Sequence, residues 1–164
     1  VTPRERAKTK SKNGKDAGVK LVAKNKKAFF NYHVLEQIEA GMVLIGSEVK
    51  SLRDGHLQLL DSYAMIERGE VFLIHAHIGE YKHGAYANHA PTRTRKLLLH
   101  RREIDRLAAK VEEKGYTLIP LEVYFKEGRA KVKLGLCKGK AAYDKREAIK
   151  ERDERRDRAR EDAD

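Results

Sequence analysis

The chain changes character at residue 139. Residues 132–137 form an apolar run that reads as a strand, and Gly139-Lys140-Ala141-Ala142-Tyr143-Asp144-Lys145-Arg146 then opens a segment with almost nothing apolar in it. From 144 to 164 the sole large apolar side chain is Ile149, with alanines at 148, 159 and 163. A segment without an apolar stripe has no face to bury, so it cannot be a fixed part of a core. The core must be complete before residue 139, and the arm's partner is expected to be another molecule. A solubilising tail is the alternative reading.

The 164 residues suffice for one domain of roughly 100–150 residues plus tails. Hydrophobic residues make up 40% and charged residues 37%, which predicts a modest core with large solvated parts. The single cysteine, Cys137, cannot close an intramolecular disulfide, which fits a reducing cytoplasm and leaves stability to packing. No apolar run approaches the ~20 residues of a membrane span and no signal peptide is visible, so a cytoplasmic protein without a membrane partner is expected.

The net charge of +11 favours a polyanionic partner, nucleic acid or an acidic membrane. Its distribution is uneven. Residues 1–27 carry +8, residues 28–80 carry −5, residues 81–102 carry +6, and residues 103–137 and 138–164 carry +1 each. The last segment reaches +1 with 10 basic against 9 acidic residues, so it is dense in charge but nearly neutral. The two basic blocks look like phosphate-facing surfaces, and without membrane features nucleic acid is the preferred partner.

Residues 1–19 are rich in Lys, Gly, Ser and Asn and are expected to be a disordered basic arm. A strand is predicted over 28–35 from Phe29, Phe30, Tyr32, Val34 and Leu35. A turn or helical step follows over 36–40, ended by Gly41, and then a buried strand over 42–45. Ser47 has N-cap chemistry, and Val49 with Leu52 before Gly55 suggests a short helix. Residues 59–66 and 70–78 flank Glu67-Arg68-Gly69 as a hairpin. Residues 81–91 are loop. Ile104, Leu107, Ala108 and Val111 give the clearest helix, over 100–114, with Gly115 past its end. Residues 117–125 and 131–137 make a last hairpin around Glu127-Gly128. Six short, mostly sequential strands favour a closed or partly closed antiparallel barrel, because closure removes exposed edges.

Hydrolytic or transfer chemistry is poorly represented. Cys137 reads as a small core residue before a nucleophile. His75 and His77, two apart, would share a strand face and reach one metal, but no neighbouring ligand completes a set. Glu36, Glu39 and Glu48 are candidates for acid–base work and fit better as surface charge or partners of Lys and Arg. Gly79, Gly84 and Gly115 are too scattered for a phosphate loop. No catalytic residue, metal or cofactor is assigned.

RNA-binding features are better. In Pro91-Thr92-Arg93-Thr94-Arg95-Lys96-Leu97-Leu98-Leu99, loop cations would meet phosphates while leucines anchor the loop. One of those leucines, left exposed, would pack under a base or ribose. Asn25, Lys26 and Lys27 bring donors to the start of the first strand, and Tyr81, Tyr86 and Tyr143 lie among basic residues as stacking candidates. Glu151–Arg155 and Glu154–Arg158 are i, i+4 pairs worth about 0.2–0.5 kcal/mol each, so the arm is expected to be disordered when free and helical against RNA.

These residues resemble the small protein B family, the bacterial SsrA-binding partners of transfer-messenger RNA, over nearly all of residues 20–160. The resemblance is carried by Asn25-Lys26-Lys27-Ala28, Glu39-Ala40-Gly41, Gly46-Ser47-Glu48-Val49-Lys50-Ser51-Leu52-Arg53, Asp61-Ser62-Tyr63, residues 91–99, and Gly139-Lys140 with Asp144-Lys145-Arg146. It implies a mainly β fold: a six-stranded antiparallel oligonucleotide-binding-like barrel with three helices and a flexible C-terminal arm. The expected organisation is a basic arm over 1–19, an RNA-binding domain over 20–138 and a charged arm over 139–164.

The resemblance also implies a role as a monomeric binding factor and not an enzyme. Such proteins bind the tRNA-like domain of transfer-messenger RNA, stand in for its missing anticodon arm, and rescue stalled ribosomes by trans-translation. By motif, Asn25, Lys26, Glu39, Leu98, Lys131, Lys138 and Lys140 fall on RNA-contact positions, beside the basic block Arg93, Arg95 and Lys96. Tyr143, Asp144, Lys145 and Arg146 begin the arm expected in the ribosomal decoding site and empty mRNA channel. The family usually has a second lysine after Lys140, where this chain has Ala141. The alternatives are a general basic ribosomal protein with a barrel fold and an RNA-modifying enzyme.

Overall fold

The computed structural model describes residues 18–82, 88–140 and 142–163. Most of the basic arm over 1–19 therefore lies outside the described residues, as do Gly84, Tyr86 and Ala141.

The first strand, β1 (Val19–Lys24), was not legible in the sequence; it is an edge strand on β8 (Thr117–Lys126). Residues 28–31, predicted as strand, instead belong to a six-residue helix, α1 (Lys26–Asn31). The cause is Asn25, whose Oδ1 accepts the Ala28 N–H at 3.2 Å and caps the helix. The strand β2 (Tyr32–Met42) then runs through 36–40, where a turn was expected. Val34, Glu36, Ile38 and Ala40 are its less exposed positions, so the alternation is intact but contains a carboxylate. Glu36 is tolerated there because Arg106 pairs with it and Lys110 lies 3.1 Å away, both on α3 (Arg101–Lys114). The strand expected over 42–45 is absent: Met42 ends β2, and Val43 and Ile45 are exposed.

Helix α2 (Gly46–Arg53) lies where the short helix was predicted, one residue earlier at its start. β3 (Leu57–Gln58) pairs with β6 (His77–Ile78) as a small second sheet. The predicted hairpins are β4 (Tyr63–Glu67) with β5 (Glu70–Ile74), and β8 with β9 (Arg129–Gly139). Each has a two-residue loop with positive φ at both positions, 52° and 74° at Arg68-Gly69 and 52° and 77° at Glu127-Gly128, the geometry that matches strand twist. β7 (Arg95–Leu98) completes the sheet, and α3 ends where Gly115 donates to the Val111 carbonyl at 3.1 Å.

The architecture is thus mixed: one seven-stranded antiparallel sheet, a two-stranded sheet and four helices among the described residues, against the six strands and three helices expected. The sheet order is β1-β8-β4-β5-β7-β2-β9, and β8 also pairs with β9, so the pairings return upon themselves. Leu73, Leu97, Leu107, Val123, Val132 and Leu134 fill the main core. A second cluster of Ala28, Ile119, Leu121 and Cys137 lies under α1. Burial pushes the Cys137 thiol up to about 11, the behaviour of a core residue.

Residues 142–163 form one helix, α4 (Ala142–Ala163). Good helix formers sustain it without an apolar face, and Arg155–Glu151 and Arg158–Glu154 stand 3.8 and 3.9 Å apart one turn from each other. All its described side chains are exposed except that of Lys145, which is half-buried.

Candidate nucleic-acid interface

The basic block divides on its strand. β7 alternates inward and outward from Arg95 to Leu98, so Arg95 and Leu97 are buried while Lys96 and Leu98 are exposed. Arg95, expected at the surface, has no exposed area. Its Nε donates to Glu48 Oε2, its Nη1 to the Ala76 carbonyl at 2.7 Å and its Nη2 to the Pro91 carbonyl at 3.0 Å. Glu48 is fully buried, and its Oε1 accepts Arg93 at 2.5 Å and the Ile45 N–H at 2.8 Å. Burial by itself would raise the Glu48 pKa, but the bonds from Arg93, the Ile45 amide and Arg95 outweigh it and hold the carboxyl below its usual range. Arg95 is therefore a structural residue that ties α2, residue 76 and residue 91 to β7. Arg93 is shared between this network and the surface.

Leu98 points outward with 54% of its surface exposed. It faces Gly41 across the β2–β7 pair, and Glu39, Gly41, Leu98, His100, Glu103 and Lys131 line one open depression. A Cβ at Gly41 would sit 3.4 Å from Leu98 Cβ and 3.8 Å from Lys131 Nζ, so the glycine keeps the floor open. The Tyr124 hydroxyl donates to Glu39 Oε2, and Lys126 Nζ lies 3.7 Å from the same oxygen. The Tyr124 bond, opposed by modest burial and helped by Lys126 and Lys131, holds the Glu39 carboxyl below its usual pKa. An apolar side chain, a fixed carboxylate and a cation thus converge on a surface depression. That set can take a ribose or base edge and its phosphate. Glu39, Leu98 and Lys131, each named above from the family resemblance, line this one depression. Tyr124, Gly41 and His100 were missed; the cross-strand register is what reveals them.

Asn25 lies at the base of α1. It is 9% exposed, and its Nδ2 donates to the Pro120 carbonyl at 3.0 Å and to the Leu59 carbonyl at 3.4 Å while its Oδ1 caps α1. Its side-chain hydrogen bonds thus run to two carbonyls and the first turn of α1. Lys26 is exposed on that helix, and Lys140 Nζ donates to the Phe29 carbonyl at 3.2 Å near its C-terminus. Lys138 is exposed on β9, and Lys96 pairs with Glu70 at 3.1 Å. Tyr143, Asp144, Lys145 and Arg146 form the first turns of α4. His75 has φ 65° and lies between β5 and β6, so it does not share a strand with His77; among the described residues no cluster of His, Cys, Asp and Glu could hold a metal.

The model of the family described as SmpB protein matches residues 22–164. The chain belongs to the SmpB protein family. SsrA-binding proteins of Treponema denticola and Myxococcus xanthus are 58% and 55% identical to it, over 87% and 88% of this chain and 93% and 89% of theirs. A chain of the solved structure described as "tmRNA-SmpB: a journey to the center of the bacterial ribosome" superposes with a TM-score of 0.64 at 50% identity, covering 77% of this chain and 93% of that one. Membership in the SmpB family extends across both the sheet and α4, so the arm is a family feature and not an appended tail.

Proposed function

We propose that the chain is an RNA-binding factor that binds the tRNA-like domain of transfer-messenger RNA, brings it to stalled ribosomes and replaces its anticodon arm in trans-translation. It acts by binding, not as an enzyme. Family membership supports the role, and the observation that carries it to residues is the exposed Leu98 set between Glu39 and Lys131. Leu98 and the depression supply shape and stacking; Lys26, Lys96, Lys131, Lys138 and Lys140 supply salt-sensitive affinity. The closing strand pairings support reading the sheet as an oligonucleotide-binding-like barrel.

Helix α4, with 22 residues, is about 33 Å long, stiff and polar on every side. In this reading it enters the decoding site and the mRNA channel, led by Tyr143, Asp144, Lys145 and Arg146. A helix and an mRNA strand cannot fill one channel together, so a ribosome carrying long downstream mRNA is a poor substrate. The test is binding to transfer-messenger RNA against ordinary tRNA at near-physiological salt, for the intact protein and for one ending at Gly139. Tight, selective binding kept by the shortened protein places recognition in the sheet. Equal weak binding to both RNAs overturns the reading in favour of a general rRNA-binding protein.

A further inference from the structure

Strand β4 pairs with β5 from Tyr63 to Glu67 but meets β8 only where Ala64 faces Leu118. Among the described residues, its other edge has no strand partner from Met65 onward. The last turns of α3 stand beside that edge and leave a groove of about 260 Å³, with Met65, Ile66, Val111, Glu112, Tyr116 and Leu118 in its wall. Met65 is 41% exposed, and Ile66, Val111 and Tyr116 are half-buried. The depressions at Leu98, over β1 and beside α1 each have a lysine in the wall, Lys131, Lys126 and Lys27. This groove has no lysine, arginine or histidine, and Glu112 is its single charge. The cations of α3 are engaged elsewhere: Arg106 and Lys110, one turn apart, reach Glu36 on β2, and Arg101 lies 3.4 Å from Asp105. Among the described residues, Glu112 makes no hydrogen bond or ion pair.

We infer that this groove is a docking site for a basic protein segment and receives one arginine side chain from it. RNA needs cations for its phosphates, and a wall whose single charge is a carboxylate repels them. An aromatic ring, a thioether and aliphatic surface around one carboxylate complement the opposite chemistry, an alkyl stem that ends in a cation. The guanidinium takes both oxygens of Glu112 and lies against the Tyr116 ring, while its methylenes cover Met65 and Val111. Lysine would fill the same space but would lose the stacking and the second parallel bond. The volume lies just below the range of small-ligand sites, so it suits one long side chain. The partner's main chain runs along the open edge of β4, where strand addition supplies backbone bonds. Charge on a larger scale agrees: β4 and β5 belong to residues 28–80, which carry −5 in a chain of net charge +11.

The inference goes beyond the transfer-messenger RNA reading and does not depend on it. It is tested by NMR titration of the intact, methyl-labelled protein with the peptide acetyl-Leu-Arg-Leu-amide. The control is the same peptide with citrulline for arginine, which keeps the shape and removes the charge. The arginine peptide should shift the Met65 and Val111 methyls, leave those of Leu98 in place, and bind at least about fivefold tighter than the control. Glu112→Gln should erase that ratio and leave transfer-messenger RNA binding unchanged. Leu98→Ala should do the reverse, which separates the two readings. Equal affinity for the two peptides, or a folded Glu112→Gln protein that still prefers arginine, overturns the inference. Transfer-messenger RNA that displaces the peptide and shifts the same methyls would make the groove part of the RNA-binding surface and overturn it too. Shifts of those methyls on raising the protein concentration without peptide would assign the groove to a second copy of the chain, with the same consequence.

Discussion

Residues 91–98 and helix α4 are both charge-dense, and they use charge in opposite ways. In the first, strand alternation turns Arg95 into the core onto Glu48 and turns Leu98 out into solvent. In the second, a helix with no apolar stripe keeps nearly every charge in water. The same residue types therefore form a structural lock in one place and a solvated rod in the other. Sequence charge gives the sign of a segment's field, and only the backbone period decides which side chains carry it outward.

The largest test of that contrast is a matched pair of substitutions. Glu48→Gln leaves Arg95 buried without its counter-ion and should cost about 3–5 kcal/mol. Glu154→Gln removes an exposed pair on α4 and should cost less than about 0.5 kcal/mol. Urea denaturation of the two variants measures both. Similar midpoints would mean that the Glu48 network is not the lock described above.

A second pair uses neighbouring leucines. Leu97, 2% exposed, should cost about 2–5 kcal/mol when changed to alanine, with RNA affinity lost only as far as the protein unfolds. Leu98→Ala should barely change the melting temperature and should weaken transfer-messenger RNA binding about tenfold, near the scale of one stacking contact. A Leu98→Ala protein with intact affinity would remove the apolar residue from the interface.

Acid stability is the next effect down. The Glu36 and Glu48 carboxyls are held below their usual range because, in each, bonds to cations exceed the opposing effect of burial. A carboxyl whose folded pKa lies below its unfolded value stabilises the fold above the unfolded value, and the gain is lost as pH falls through the folded one. Stability should therefore fall as pH drops below the ordinary carboxylate range near 4.5. Glu48→Gln should flatten that fall more than Glu36→Gln. The Glu36 carboxyl is 25% exposed and its partners 47% and 41%, so solvent screening leaves it under about 1 kcal/mol. An equal or greater flattening from Glu36→Gln would reverse the order of the two carboxyls.

What the sequence disclosed follows the same division. Helix α3 and the two hairpin turns were legible because each rests on a local pattern: a 3.6-residue period, a glycine at positive φ. Helix α1 was not, because Phe29 and Phe30 favour a strand locally and the cap at Asn25 is fixed by carbonyls 34 and 95 residues away. β2 was hidden by Glu36, which makes sense only against Arg106 and Lys110 of another element. At the interface, Glu39, Leu98 and Lys131 carried a motif, whereas Tyr124 sat inside an apolar run and gains its role from a partner 85 residues distant.

The smallest expected effect concerns the junction between the two regions. Ala141 stands where the family pattern has a lysine, next to Lys140, whose ammonium is bonded to the Phe29 carbonyl. A lysine has further donors free after such a bond, so Lys140 can still meet a phosphate. Restoring the second cation with Ala141→Lys adds at most one phosphate contact. Each such contact steepens the dependence of log Kobs on log salt by about 0.7–0.9. Salt titration of transfer-messenger RNA binding by the parent and the variant resolves a change of that size. A steeper slope assigns the junction to the RNA-binding surface of the sheet. An unchanged slope with unchanged affinity assigns it to α4, whose charges face a different partner.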